Sequence, residues 1–199
     1  MNHQIVTTTG IMFDPLNPDP AKIRLRDIVT SLSRINRYLG HGLHPMSVLA
    51  HSVCVAQLVP KEYMLTALLH DATESYLGDV PAPLKELLEF TPYRDAEHRL
   101  WTAIAAKYGA HPVIPPVVHD ADLAMRWYEA RSMKLDQGDC LSAWLAYEPY
   151  TDRFPSLLAM RRLVDNPVLT KATWIKLFNK HSPTPYHRVD LHFPALYEN

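Results

Sequence analysis

Apolar residues recur at helical spacing through Leu25, Ile28, Val29, Leu32, Ile35 and Leu39, and Gly40, a residue favoured just past a helix end, closes the run. The same period returns in successive blocks, each punctuated by proline or glycine, which restricts the chain to a mainly helical fold. Pro45 to Leu58 is predicted as a second helix stopped by Pro60, and Lys61 to Tyr76 as a third, broken by Gly78 and the Pro81, Pro83 pair. Tyr93 to Tyr108 and Pro116 to Leu135 follow, then shorter helices near Cys140 to Ala146, Pro155 to Leu163 and Leu169 to Phe178. Gln4 to Phe13, rich in Val, Ile and Thr ahead of a Pro-rich turn, predicts a short strand or hairpin. The tail from His181, with Pro183, Pro185 and Pro194, is expected to be extended. No repeat or linker divides the 199 residues, so a single domain over 1–199 is expected.

With 20 Lys plus Arg against 21 Asp plus Glu, the chain lacks the basic field that binds nucleic acid non-specifically, so a small anionic ligand would need a local cationic pocket. Cys54 and Cys140 are far apart and fit a reducing compartment. Charges interrupt every hydrophobic run before it could span a bilayer, and the N-terminus has no signal-peptide pattern. A cytoplasmic location without a membrane partner is the expectation.

Of the 11 histidines, two stand out by their surroundings. His70 is followed by Asp71 inside the apolar stretch LTALLHDATESYLGD, and His51 sits within SVLAHSVCVA; polar side chains there must find partners or serve a site. Glu74 lies four residues after His70, on the same face of a continuous helix. Asp122 opens the apolar helix ADLAMRWYEA, where a lone carboxylate facing a core would be costly. Two imidazoles and two carboxylates make a mixed nitrogen and oxygen donor set suited to a divalent ion such as Zn, Mn, Fe, Co or Mg. A competing pair, His119 and Asp120, follows Pro115 and Pro116 and reads better as a first helical turn. His41 and His44 beside Arg37 fit phosphate contacts and plain loop residues equally well, and Trp127, Tyr128 and Met125 fit the core better than a base pocket.

At these residues the sequence resembles the HD-domain phosphohydrolases, whose metal ligands follow the order His, His-Asp, Asp on separate helices. LLHDATESYLGDVPAPLK looks like the HD-domain 5'-deoxynucleotidases and the phage-type HD proteins, dATP triphosphohydrolases among them. RLRDIVTSLSRINRYLGH followed by HPMSVLAHSV is similar to the phage-type group. The likeness covers roughly residues 10 to 135. It implies an HD-domain helical bundle in which His51, His70, Asp71 and Asp122 hold the metal. Glu74 and Asp79 would serve catalysis, Arg37 would approach the phosphate, and Lys85 would end the proline-rich signature. Tyr38 departs from the tryptophan that follows this arginine in the deoxynucleotidases, which loosens the transfer of substrate preference. The implied activity is hydrolysis of a 2'-deoxynucleotide, either a monophosphate or a triphosphate. A nucleotide sensor without turnover is the alternative, against which an intact Glu74 and Asp79 argue. Homo-oligomerisation is expected by analogy alone.

Overall fold

The computed structural model describes residues 3–133 and 156–183, which form a mainly helical body behind a small N-terminal hairpin. The expected helix at 140 to 146 and most of the expected extended tail lie outside the described residues, as do Cys140 and Trp144. The hairpin pairs β1 (Ile5–Val6) antiparallel with β2 (Met12–Phe13), with Ile5 opposite Phe13 and Val6 opposite Met12. It is anchored by Thr9, whose backbone N–H and hydroxyl donate to the two Asp27 oxygens at 2.7 and 2.8 Å. Phe13 is buried against Tyr76, with ring centroids 4.3 Å apart.

The helices are α1 (Leu25–Leu32), α2 (Val48–Leu58), α3 (Met64–Leu69), α4 (Glu74–Leu77), α5 (Ala82–Lys85), α6 (Thr91–Tyr108), α7 (Pro116–Ser132), α8 (Leu157–Val164) and α9 (Pro167–His181). Helix α2 is apolar on nearly every face, and such a helix is stable only in an interior. It accordingly sits at the centre, packed against α1, α3, α7, α8 and α9, with Val48 through Ala56 all buried. Ser47 caps its start by accepting from Ala50 N–H. Among the described residues, no helix is long and apolar enough to cross a membrane.

Two predicted helices break within their apolar period. The first stops at Leu32 rather than running to Leu39, because the backbone beyond it finds partners across a loop. Arg37 N–H donates to the Met46 carbonyl and Val48 N–H to that of Ile35, at 2.8 and 3.0 Å. Tyr38 and Leu39 follow with φ of 56° and 53°, a left-handed conformation uncommon for side chains this large. The third predicted helix, Lys61 to Tyr76, is interrupted at 70–73. There Ala72 N–H donates three residues back to Leu69 and Glu74 N–H to Asp71, the pattern of a tightened turn. Helix α2 begins at Val48 rather than Pro45, α7 ends at Ser132, and α9 extends beyond its prediction, with His181 helical rather than in the tail.

Candidate metal centre

Three elements deliver the donors. The central helix α2 presents His51, which is fully buried. The turn after α3 presents His70 and Asp71 side by side, and α7 brings Asp122. His51 Nε2 lies 3.0 Å from Asp122 Oδ1 and 3.7 Å from Asp71 Oδ2. His70 Nε2 lies 3.2 Å from Asp71 Oδ2 and 3.9 Å from Asp122 Oδ1. His51, His70 and Asp71 alone already form a cluster able to hold a metal ion.

Close as they are, these atoms do not satisfy one another. His51 Nε2, His70 Nε2, Asp71 Oδ2 and Asp122 Oδ1 are all buried without a hydrogen-bond partner. Both rings are oriented by bonds at their far nitrogen, His51 Nδ1–H donating to Glu129 Oε1 and His70 Nδ1–H to the Ala67 carbonyl, each at 2.7 Å. In the neutral imidazoles those bonds select the tautomer that leaves a lone pair on each Nε2, for which a proton and a metal ion compete. Four electron-rich atoms crowded together and screened from water repel unless a cation sits among them, so the residues present fit a divalent ion.

The titrations reflect the same crowding. Burial opposes charging of His70, but the Asp71 and Asp122 carboxylates outweigh it and lift the imidazole to about 9. Burial would raise both carboxyls; the neighbouring imidazoles hold Asp71 and Asp122 below the ordinary range instead. Glu74 behaves oppositely. Buried, and beside the carboxylates of Asp71 and Asp79, it is pushed well above the usual range, with one oxygen lacking any hydrogen bond and the other 3.9 Å from Lys85 Nζ.

The remaining sequence-derived candidates fall into two groups. Arg37, Asp79 and Lys85 border the centre. Arg37 Nη1 is 3.6 Å from Asp71 Oδ2, Asp79 is raised by partial burial and lies within reach of the charges of Arg37, Asp71 and Lys85, and Lys85 Nζ is held 2.8 Å from Glu97 above the Tyr93 ring. Asp79 leaves the helix through Gly78, whose φ of 82° turns the chain and whose carbonyl accepts from the Tyr93 hydroxyl at 2.9 Å. Tyr38 and His41 do not join the donors. The Tyr38 hydroxyl is taken up by the Arg126 carbonyl at 2.9 Å, and His41 is an exposed loop residue. His44 lines a cavity of about 130 Å³ with Met46, Met133 and Met160, and the competing pair, His119 and Asp120, is exposed in the first turns of α7. Met125 and Trp127 are buried, and Tyr128 packs against the core.

Glu129 is the residue the sequence reading missed. It is fully buried and accepts from His51 at one oxygen and from Arg37 Nε, at 2.9 Å, at the other. The available signal was its position seven residues after Asp122, two turns along the same face.

No family model matches the chain. The uncharacterized protein YfdR of Escherichia coli is 44% identical over 144 residues, a span of 71% of this chain and 77% of that relative. The chain belongs to the YfdR family. A second relative, an uncharacterized protein of Rhodobacter capsulatus, is 32% identical over 132 residues, 62% of this chain and 67% of its own length.

Proposed function

We propose that this YfdR-family chain is a divalent-metal-dependent HD-type phosphohydrolase acting on 2'-deoxynucleotides, on either the monophosphate or the triphosphate. The observation that carries the reading is the convergence of four buried, unpartnered donor atoms from His51, His70, Asp71 and Asp122, in the order His, His-Asp, Asp. The nucleotide itself rests on the likeness of residues 10 to 135 to HD-domain nucleotidases. When bound, the ion supplies Lewis acidity toward a phosphoryl oxygen and a water molecule. The chain's residues do the rest. Arg37 and Lys85 offer cationic charge to the substrate anion at the edge of the centre. Glu74, whose carboxyl is pushed well above the usual range by burial and by Asp71 and Asp79, is placed to pass a proton to the leaving oxygen, and Asp79 stands beside it.

Glu74→Gln tests that division of labour. The amide keeps the size and the hydrogen-bonding reach of the side chain but cannot give up a proton. Turnover of deoxynucleoside mono- and triphosphates, with products separated by chromatography, should fall on the order of 100-fold or more. Metal content should stay at the wild-type level. Loss of the ion would make Glu74 a ligand, and retained turnover would pass the proton to Asp79. Absence of hydrolysis by the wild-type chain across the substrate panel and several divalent ions would overturn the reading in favour of a non-catalytic sensor.

Arg37→Lys probes the anion contact. Arginine spans Glu129 through Nε and reaches Asp71 through Nη1, two directions that a single ammonium cannot serve. Substrate binding should weaken about tenfold, as expected for losing one charge-assisted hydrogen bond. Steady-state kinetics that match wild type would reject the role.

A further inference from the structure

We infer that Glu129 is the positioning residue of this centre, its two oxygens setting both the His51 imidazole that faces the ion and the Arg37 guanidinium that faces the substrate anion. The inference rests on the metal-dependent reading above and deepens it.

The geometry is that of a carboxylate with both oxygens engaged. Oε1 accepts from His51 Nδ1–H at 2.7 Å. Oε2 accepts from Arg37 Nε–H at 2.9 Å and lies 3.3 Å from the Tyr38 hydroxyl. Glu129 is fully buried, so no bulk water substitutes for a lost partner. Each oxygen faces a donor, and only an ionised carboxylate accepts at both ends. An amide in its place would turn an N–H toward either His51 or Arg37.

Both consequences lie at the site rather than at Glu129. Fixing the proton on His51 Nδ1 leaves Nε2 as a bare lone pair 3.0 Å from Asp122 Oδ1, among the orphaned donor atoms. Holding Arg37 by its Nε turns the terminal end of the guanidinium toward Asp71, with Nη1 at 3.6 Å. Helix α7 carries both Asp122 and Glu129, so one rigid element sets a donor and the partner that orients a second donor on α2. A carboxylate that merely neutralised the buried Arg37 would not need its other oxygen against His51.

The test measures ion binding, not turnover. Calorimetric titration of the full chain with Co²⁺ or Zn²⁺ should show a dissociation constant about 10- to 100-fold weaker in Glu129→Gln than in wild type. Binding of inorganic phosphate to the ion-loaded chain should weaken with it, and circular dichroism should confirm that the variant is folded. The double variant Arg37→Met with Glu129→Gln separates positioning from charge balance. It removes the ion pair as a unit, so affinity for the ion stays weak if Glu129 orients His51 and returns to wild type if it only balances Arg37. A measurement on the unaltered chain guards against a variant that does not fold: nitrogen-15 correlation spectra of the histidine rings should show His51 protonated at Nδ1. An unchanged constant in Glu129→Gln, recovery in the double variant, or a His51 protonated at Nε2 would each overturn the inference. Wild-type chain that binds no ion would remove this inference and the metal reading together. Ion binding without phosphoester hydrolysis would remove the phosphohydrolase reading alone.

Discussion

Asp71→Ala is expected to strip the protein of its divalent ion while leaving it folded. The Asp71 carboxylate sits 3.2 Å from His70 Nε2 and 3.7 Å from His51 Nε2, bridging the two imidazoles. Its side chain is 17% exposed and makes no hydrogen bond through Oδ2, so its removal opens little of the core. What disappears is one negative charge and one oxygen donor from a set of four. Wild type should purify with about one ion per chain, whereas the variant should carry almost none and lose activity with it. Elemental analysis and a thermal melt, read together, check the two halves of the expectation. Full occupancy in the variant would refute the donor set. His119→Ala serves as the control and should keep its ion, since that side chain is exposed on α7.

The largest stability effect is expected from a residue that touches no donor atom. Trp174 on α9 is fully buried and stacks on Phe178, with ring centroids 5.3 Å apart and planes within 8°. Its indole N–H donates to the Leu68 carbonyl at 3.2 Å, two residues before His70, where the helix tightens into the ligand turn. Trp174→Ala removes the packing and orphans that carbonyl, so the free energy of unfolding should drop by about 3–5 kcal/mol. Trp174→Phe keeps the stack and gives up only the hydrogen bond, for about 1–2 kcal/mol. Urea denaturation of the metal-free chain measures both. Equal losses in the two variants would mean that the bond, not the packing, carries the residue's weight.

Much of this architecture was legible as periodicity. The apolar spacing located α6 and α7 to within a few residues, and the β-branched opening with its proline-rich turn gave the hairpin. The breaks were not legible, because a helical period continues through segments whose backbone is claimed by tertiary hydrogen bonds. Arg37 and Val48 pair across a loop that no local pattern announces, and the tightening at 70–73 follows from bonds made three residues back. In the centre, the polar residues in apolar surroundings led to His51, His70, Asp71 and Asp122, which the fold brings within 3.9 Å of a neighbouring donor. Glu129 obeyed the same rule yet escaped, since in the helix MRWYEARS a glutamate reads as surface charge between Tyr128 and Ala130. Its burial depends on where α7 docks against α2, and that is a property of the assembled fold.

The contact between Trp174 and Leu68 joins residues 106 apart in the sequence, and this separation orders events during synthesis. Every donor of the candidate centre is translated before the helix that braces the ligand turn. At a usual elongation rate of about 5–20 residues per second, the donors exist for several seconds on a chain that lacks its brace. During that interval the ligand turn lacks the hydrogen bond and packing that α9 gives it. If the centre takes up an ion as proposed, binding by the oriented set belongs to the period after α9 has docked against the ligand turn.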